Sequence, residues 1–310
     1  MQVLLTVPFL PEQIQQLEDL GYEILFENEK TSDFSGNYSD VEVLMTYNGC
    51  VKIDRARLPK LRWVQLTSIG FDQVPAAYQG HDIIITNNQG GYSPQIGEWV
   101  VGMMLAIEKR FHDIRRNQQE KTWQLNMDID GLAGKTALFV GTGSLAKESV
   151  KRLQGFDMTI IGLNRTGHPE AGFDETYPLA DAPGILPRAD HVICCLPATS
   201  ATTGLINRDF IFAMKRGAHL HNVSRGAIIV ESDLLEHHKH LGIVALDVFQ
   251  EEPLPVDSPL WTLDNILISS HNSWVNQQIR AQRFALFRDN LTRFKQGADL
   301  KNRVQLARGY

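Results

Sequence analysis

The chain has 310 residues, of which 43% are hydrophobic and 21% charged, an ordinary globular composition that excludes a disordered or fibrous protein. The net charge of −6 and the pI of about 5.9 argue against nucleic acid as a partner, because nucleic acid requires a basic surface. A single core usually stops growing at about 300 residues, so we expect two domains.

The N-terminal run MQVLLTVPF lacks a basic lead and a cleavage site, and it predicts a first strand, not a signal peptide. No apolar run reaches the roughly 18 to 20 residues that cross a bilayer, so we predict no membrane partner. Three cysteines, Cys50, Cys194 and Cys195, are too few for a disulfide framework or a four-ligand zinc site. The last two fall in an apolar, strand-like run, where buried thiols are expected. These features predict a cytoplasmic protein.

Short β-rich runs alternate with helical stretches along the chain. The predicted strands cover residues 3–7, 22–26, 41–45, 61–66, 83–86, 136–140, 158–163, 191–196, 219–223, 243–248 and 266–270. This alternation predicts parallel sheets covered by helices and joined by right-handed crossovers. The first five strands are too few for a full dinucleotide-binding fold, whereas the last six suffice.

A long helix, predicted from about residue 95 to 118, separates the two groups of strands. Apolar residues recur in it at helical spacing, at Ile96, Val100, Met103, Met104 and Ile107. A final amphipathic helix is predicted from about 275 to 296. If this helix returns to the first unit, residues 1–93 and 273–310 form one domain and residues 94–272 form the other. The chain would then pass twice between the domains, and we expect a cleft beneath these two connections. A tail packed on the second unit is the alternative. The fold class is thus α/β, with two Rossmann-like, doubly wound parallel sheets.

A glycine loop, VGTGSLAKE at 140–148, follows the sixth predicted strand and precedes a helix. Gly141 permits a tight turn, Gly143 lets a pyrophosphate approach the backbone, and Ala146 lets the helix pack on the strand. The N–H groups of the helix start, at Ser144 and Leu145, would face the anion. This context predicts dinucleotide binding, and the alternative is a glycine turn of purely structural use.

The next strand ends in GLNRTG, which bears on the type of cofactor. An NAD site usually has Asp or Glu there to bind the ribose 2′-hydroxyl, whereas this chain has Asn164, Arg165 and Thr166. Arg165 can bind a 2′-phosphate and Thr166 can donate a hydroxyl, so NADP(H) is favoured and NAD(H) stays possible. The alternative is an exposed arginine in a surface turn.

Three polar segments follow strands of the second unit. Arg225 comes after one strand, Asp247, Glu251 and Glu252 after the next, and His271 after the last. Ligands bind beyond the carboxyl ends of such strands. An arginine could hold and polarise a 2-oxo acid, a histidine could donate a proton, and a carboxylate could orient that histidine. Taken singly, each residue also fits a surface ion pair, a helix start or a solvated turn.

Histidines also cluster in EHHKH at 236–240. Adjacent helical residues point in different directions, and no carboxylate or thiol ligands converge with them in the sequence. We therefore predict a solvated helix face and no metal site.

Together these segments closely resemble the D-isomer-specific 2-hydroxyacid dehydrogenase family, which contains phosphoglycerate dehydrogenase and glyoxylate/hydroxypyruvate reductase. The resemblance covers almost the whole chain. Its segments are VQLTSIGFDQVP (64–75), TNNQGGYSPQIGEWVVGMMLA (86–106), LAGKTALFVGTG (132–143), CLPATSATTGLI (195–206), NVSRGAIIVESDLL (222–235) and ALDVFQEEPLPVDSPLW (245–261). The last segment, followed by His271, is highly specific.

The resemblance implies roles for individual residues. Arg225 matches the substrate-binding arginine, Glu252 the acid before a proline, and His271 the proton donor, while Asp247 matches an aspartate close to the nicotinamide. The loop of Ser68, Ile69 and Gly70 matches the family's loop whose backbone N–H groups bind the substrate carboxylate. Further cofactor contacts are implied at Leu196, Pro197, Thr202 and Val223.

The resemblance also implies a flavodoxin-like substrate-binding domain formed by residues 1–93 and 273–310. Family members are usually dimers built on the long helix after Pro94, so we expect a homodimer.

The chain departs from the family pattern at several positions. Asn272 and Ser270 flank His271 where the family has a small or apolar residue and a proline, and Ala146 replaces a glycine. Tyr47 stands where phosphoglycerate dehydrogenases often carry an arginine for a phosphate, and the chain stops at Tyr310, without their regulatory domain. Both observations favour an unphosphorylated substrate, with Tyr47 among the residues that bind it.

The leading hypothesis is an oxidoreductase that passes a hydride from NAD(P)H to a small 2-oxo acid of the glyoxylate/hydroxypyruvate type, giving the D-2-hydroxy acid. The alternative enzyme is a phosphoglycerate dehydrogenase that uses NAD. A third hypothesis is a dinucleotide-sensing protein like the corepressors that share the fold.

Overall fold

The structure is a computed structural model that describes residues 1–71, 73–79 and 82–304. The chain divides into two compact units, Met1–Tyr92 together with the chain from Asn276 on, and Ser93–Val275. The described strands of each unit form a parallel sheet. The predicted fold class, two α/β units with parallel sheets, is confirmed.

The strands are β1 (Gln2–Leu5), β2 (Glu23–Phe26), β3 (Val41–Thr46), β4 (Trp63–Leu66), β5 (Ile84–Thr86), β6 (Thr136–Val140), β7 (Thr159–Asn164), β8 (Glu175–Pro178), β9 (His191–Cys194), β10 (His219–Asn222), β11 (Val244–Leu246) and β12 (Ile266–Ile268). The α-helices are α1 (Pro11–Asp19), α2 (Gly49–Lys52), α3 (Ser93–Glu108), α4 (Phe111–Glu120), α5 (Ser144–Leu153), α6 (Ala182–Ile185), α7 (Arg208–Ala213), α8 (Glu231–His237) and α9 (Ile279–Gln296).

The first unit has the strand order β2-β1-β3-β4-β5, a flavodoxin-like arrangement. Alternate residues of its strands face opposite sides, so that Val3 and Leu5 lie in one apolar cluster and Leu4 in another. Phe287 and Leu291 of α9 pack in the cluster of Val3 and Leu5. The final helix therefore belongs to the first unit, although most of the chain separates it from β5.

The second unit has the strand order β12-β11-β10-β9-β6-β7-β8. The order reverses between β6 and β9, the switch point at which open α/β sheets bind ligands. All six strands predicted for this unit are present, and β8 is an addition. Its sequence ETYP is half-buried at the sheet edge and lacks an apolar run, which explains why periodicity did not predict it.

The single long helix predicted from 95 to 118 is wrong, because the structure has two helices, α3 and α4. Arg110 lies between them in the left-handed region, with φ of 50°. Its side chain donates to Asp113 at 2.6 Å, and its carbonyl accepts from the Asp113 N–H at 2.9 Å. The predicted apolar positions all lie in α3, and the mostly polar sequence that follows has no periodicity to continue that face.

The three cysteines are buried, with 2%, 0% and 8% exposure for Cys50, Cys194 and Cys195, as expected of apolar core residues. Among the described residues, the helices are all too short or too polar to span a bilayer.

Candidate active site

Three consecutive loops at the carboxyl edge of the second sheet carry the predicted catalytic residues. Arg225 follows β10, Glu252 lies in the loop after β11, and His271 follows β12. Because β10, β11 and β12 are neighbouring parallel strands, their carboxyl ends lie along one edge. Strand order alone therefore brings the three loops together.

His271 and Glu252 form a hydrogen-bonded pair. The Nδ1 atom of His271 lies 2.7 Å from Oε2 of Glu252, and both side chains are about one-third exposed, at 32% and 35%. Burial raises the pKa of Glu252, but the hydrogen bond from His271, the Phe249 N–H and the charge of Arg225 outweigh it and lower that pKa. The carboxylate is thus ionised near neutral pH, and it orients the imidazole so that Nε2 points away from it.

The backbone of His271 is unusual, because its φ of 49° lies in the left-handed region. Its N–H donates to the carbonyl of Asp247 at 2.8 Å, and its carbonyl accepts from the Trp274 indole at 2.8 Å. These bonds hold the histidine in that conformation.

Asp247, fully buried, organises the loop that carries the histidine. Its carboxylate accepts the N–H of Asn272 at 2.9 Å, the N–H of Ser273 at 3.1 Å and the hydroxyl of Ser269 at 2.5 Å. Bonds to three residues on both sides of His271 make Asp247 an anchor of this loop. The implied proximity of Asp247 to a nicotinamide stays a prediction.

Arg225 leaves β10 in an extended conformation, and its Nη1 donates to the Ser224 carbonyl at 2.9 Å. Asn222, fully buried at the end of β10, fixes this turn. Its amide donates to the Arg225 carbonyl at 3.1 Å, and its Oδ1 accepts from the N–H and the hydroxyl of Ser224 at 3.1 and 2.6 Å. Sequence reasoning missed Asn222, although a buried amide directly before Val-Ser-Arg-Gly was the available signal.

Gly226 brings the Arg225 loop against the Glu252 loop. A Cβ atom at this position would lie 1.9 Å from the carbonyl carbon of Phe249 and 2.4 Å from the backbone nitrogen of Gln250. No side chain fits between two backbones this close. Sequence reasoning also missed this residue as a site residue.

The glycine loop turns tightly at Gly141 and leaves open space at Gly143. Gly141 has φ of +104°, donates to the Leu163 carbonyl at 2.8 Å and passes close to the backbone of Cys195. A Cβ at Gly143 would meet nothing within 4 Å, and no side chain caps the start of α5 there. Ala146 is fully buried where the helix packs on the sheet. Open space beside uncapped N–H groups at Ser144 and Leu145 fits an anion.

The loop after β9 lies beside the glycine loop. The side chain of Leu196 would be 3.1 Å from a Cβ at Gly141. The hydroxyl of Thr202 donates to the Pro197 carbonyl at 2.6 Å and thereby shapes this loop, while Val223 is buried after β10. Cofactor contacts of these residues stay predictions.

The turn after β7 is built by Asn164. Its Oδ1 accepts the N–H groups of Thr166 and Gly167 at 3.1 and 2.6 Å, and its Nδ2 donates to the His168 carbonyl at 2.9 Å. Asn164 therefore shapes the turn, whereas Arg165 and Thr166 are exposed on it. Within the described part of the chain, Arg165 has no hydrogen bond or ion pair.

The first unit carries the predicted carboxylate-binding loop after β4. The carbonyl of Ser68 accepts from the Asn88 N–H at 2.8 Å, and that of Ile69 from the Asn87 amide at 2.7 Å. The carbonyl of Gly70 accepts the Ser68 hydroxyl at 2.7 Å. Among described residues, none accepts a hydrogen bond from the N–H of Ile69 or Gly70. The loop is thus fixed through its carbonyls.

The histidines at 237–240 do not form the solvated face that was predicted. Nδ1 of His238 lies 2.7 Å from Oδ1 of Asn265, and Nε2 of His240 lies 3.0 Å from the Met214 carbonyl. Both rings are half-buried, because α8 ends in a turn that folds them onto neighbouring loops. No cluster of three potential metal ligands occurs among the residues that the structure describes.

Comparison with known proteins shows the family to which the chain belongs. Residues 101–273 match the family model of the D-isomer specific 2-hydroxyacid dehydrogenase, NAD binding domain. A glyoxylate reductase of Thermofilum pendens is 31% identical over 75% of this chain and 71% of its own. A D-3-phosphoglycerate dehydrogenase of Methanocaldococcus jannaschii is 28% identical over 98% of this chain and 59% of its own. Among solved structures, a D-isomer specific 2-hydroxyacid dehydrogenase family protein of Aeromonas salmonicida has a TM-score of 0.87 and 32% identity, and the match covers 98% of both chains. The chain therefore belongs to the D-isomer-specific 2-hydroxyacid dehydrogenase family, and it is an oxidoreductase.

Proposed function

We propose that this enzyme reduces a small 2-oxo acid of the glyoxylate/hydroxypyruvate type to the D-2-hydroxy acid, with NADPH as the preferred cofactor. The observation that carries the proposal is the His271–Glu252 pair, at 2.7 Å, on the same sheet edge as Arg225. A proton donor with its orienting carboxylate and a cationic anchor are the groups that reduction of a 2-oxo acid requires. The similarity to a glyoxylate reductase supports the same activity.

When bound, the dinucleotide supplies the hydride, and the residues of this chain do the remaining work. Arg225 binds the substrate carboxylate and polarises the ketone. His271 gives the proton on Nε2 to the ketone oxygen, while Glu252 accepts from Nδ1–H and stabilises the charged imidazole. In the first unit, the N–H groups of Ile69 and Gly70 bind the carboxylate. The first unit is thus assigned substrate binding and the second dinucleotide binding.

NADP(H) is proposed over NAD(H) because of the turn after β7. Asn164 is neutral where a 2′-hydroxyl site would have an acid, and Arg165 is exposed beside Thr166. A guanidinium and a hydroxyl together suit a 2′-phosphate. Replacing Arg165 by Ala should weaken NADPH binding by at least about tenfold and leave NADH binding unchanged, measured by quenching of protein fluorescence. A preference for NADH in the natural enzyme would contradict the assignment.

The experiment that tests the function is a set of initial rates with glyoxylate, hydroxypyruvate and phosphohydroxypyruvate, each with NADPH and with NADH. Rates with NADPH and the unphosphorylated acids are expected to be the highest. A strong preference for NADH with phosphohydroxypyruvate would identify a phosphoglycerate dehydrogenase, the second candidate, which the similarity to the Methanocaldococcus protein favours. Tight dinucleotide binding without turnover on any 2-oxo acid would identify a sensing protein.

We also propose that the enzyme is a cytoplasmic homodimer. Six apolar side chains between positions 111 and 129 are exposed, at Phe111, Ile114, Trp123, Leu125, Met127 and Ile129. Trp123 is fully exposed, at 103%, and so many exposed apolar side chains in one segment are typical of a surface that a second copy covers. Light scattering should give twice the chain mass for the natural protein and a monomer for Trp123→Ser combined with Leu125→Ser. A monomeric natural protein would contradict the proposal.

A further inference from the structure

The turn after β7, which carries Arg165 and Thr166, is one end of a chain of four hydrogen-bonded side chains. Oγ1 of Thr166 lies 2.8 Å from Nδ1 of His168. On the other side of the ring, Nε2 of His168 lies 2.7 Å from Oε1 of Glu170. The second oxygen of Glu170 is 2.6 Å from Nζ of Lys147, in the first turn of α5. These contacts join the helix that follows the glycine loop to the hydroxyl of Thr166.

The charge of Glu170 decides which nitrogen of His168 carries a hydrogen. The hydrogen bond from Lys147, and after it the one from His168, lowers the pKa of Glu170. The carboxylate is therefore ionised near neutral pH and can only accept, so Nε2 of His168 must be the donor in their contact. In a neutral ring the other nitrogen then has no hydrogen, and Nδ1 accepts the hydroxyl hydrogen of Thr166.

Protonation of His168 reverses the direction of its bond with Thr166. Nδ1 of a charged ring carries a hydrogen and donates it to the Thr166 oxygen, so the hydroxyl hydrogen becomes free to bond another acceptor. Among the described residues, Thr166 and Glu170 are the side chains that contact the ring. The charged groups around it are Glu170 on the same loop, Lys147 from α5 and Arg165 on the turn.

The direction of this bond matters for a 2′-phosphate, because an ionised phosphate offers oxygens that accept hydrogen bonds. Thr166 has one hydrogen to donate, and a neutral His168 takes it. A charged His168 releases that hydrogen and also adds a positive charge to the turn that carries the exposed Arg165. Both changes favour a bound phosphate.

We propose that His168 controls cofactor specificity through the hydroxyl of Thr166: a neutral ring withholds this hydroxyl from a 2′-phosphate, and a protonated ring makes it available. The inference rests on the proposed preference for NADP(H). Histidine ordinarily changes its charge between pH 5 and 8. Acidification through this range should therefore favour the binding of NADP(H) over that of NAD(H), which has no 2′-phosphate.

The test measures the affinity for NADP+, which survives acid better than NADPH, by quenching of protein fluorescence at about pH 8 and about pH 6. His168→Phe keeps a planar ring but has no nitrogen to accept the hydroxyl or to carry a charge. The ratio of the natural affinity to that of His168→Phe should rise at least about fivefold between the two pH values. Because the 2′-phosphate itself takes up a proton at about pH 6, the two proteins are compared at each pH, where this effect cancels. The same ratio for NAD+ should change less than about twofold.

Thr166→Val separates the hydroxyl from the charge, since it keeps the shape of the side chain and removes only the hydroxyl. It should lose most of the natural change with pH, because the charge of an exposed imidazolium contributes little by itself. Thr262→Val, at an exposed threonine of the same unit, is the matched control and should keep the natural pH dependence. A natural pH dependence retained in His168→Phe or in Thr166→Val would overturn the inference.

The inference and the proposed cofactor preference fail in different ways. A natural enzyme that binds NAD+ more tightly than NADP+ at both pH values would refute the preference and, with it, the inference. A natural enzyme that prefers NADP+, with a pH dependence that both variants share, would refute only the role of His168.

Discussion

At the residue scale, the site depends on a few side chains whose partners are fixed by hydrogen bonds. The His271–Glu252 pair is about one-third exposed, whereas Asp247, which anchors the loop of His271, and Asn222, which fixes the turn of Arg225, are fully buried. Precise positioning of a proton donor requires such supporting contacts, because small displacements of a reacting group are costly.

Removing Arg225 or His271 should have different effects on the kinetics. In the proposed mechanism Arg225 binds the substrate and stabilises charge on the developing oxyanion, so Arg225→Ala should lower kcat/KM by a factor equivalent to about 3 kcal/mol or more. His271→Ala should lower kcat while the Kd for NADPH stays nearly unchanged. Steady-state kinetics and fluorescence titration measure the two effects.

Near-normal kcat/KM in Arg225→Ala would show that the substrate anchor lies elsewhere. A parallel loss of NADPH binding in His271→Ala would show that the histidine acts on structure and not on proton transfer.

Replacing Asp247 tests its role as the anchor of the histidine loop. Asp247→Asn removes the charge that three donors share, so we expect kcat to fall at least about tenfold and stability to fall by about 1–3 kcal/mol. The control is Asp264→Asn, an exposed residue of the same unit. A normal kcat with weaker NADPH binding would identify Asp247 as a cofactor contact instead.

At the scale of secondary-structure elements, the loops after β10 and β11 depend on a single glycine. The backbones of Gly226 and Phe249 are so close that a methyl group has no space. This contact aligns the loop of Arg225 with the loop of Glu252, since both loops would have to move apart to admit a side chain.

Gly226→Ala should therefore destabilise the protein by at least about 3 kcal/mol and abolish most of the activity, measured by denaturant unfolding and by kcat/KM. Gly184→Ala is the matched control. It lies in the short helix α6 with nothing within 4 Å of the added Cβ, and its effect should be within about 1 kcal/mol. Equal stability of the two variants would mean that the loops after β10 and β11 can move apart at little energetic cost.

At the scale of the whole molecule, the second unit contains a cluster of the fully buried His191 and His221 and the partly buried His219, beside Glu108. His191 lies 2.8 Å from Glu108 and 3.1 Å from His221. Burial, together with the charge of His191, lowers the pKa of His219 to about 4 from its ordinary 6.5. The same causes lower the pKa of His221 well below its ordinary value.

These shifts predict a loss of stability in acid. Between pH 6.5 and about 4 the unfolded chain binds protons at His219 and His221 and the folded chain does not, so stability falls as the pH decreases through this window. His219 alone should account for at most about 3 kcal/mol. Its replacement by Gln should flatten the dependence of Tm on pH, whereas His168→Gln, on the surface, should not. A Tm that is constant from pH 7 to 4 would contradict the prediction.

The sequence by itself determined the fold class and the enzyme family. Apolar runs predicted eleven of the strands. Their alternation with helices implied parallel sheets, because strands that are joined by a crossover helix run in the same direction. The strand, glycine loop and helix around Gly141 indicated a dinucleotide site, and the segments around Arg225, Glu252 and His271 indicated a reductase. Such local patterns can be recognised in a sequence because they depend on the backbone conformation of neighbouring residues.

Only the tertiary structure revealed the contacts between distant segments. The break at Arg110, the edge strand β8, the close approach at Gly226 and the anchoring by Asp247 each depend on packing that periodicity does not encode. A further case is the contact of Arg283 with Tyr92, in which α9 brings a guanidinium to a side chain 191 positions away along the chain. A side chain acts where the fold places it, and that placement is decided by register and packing across the whole unit.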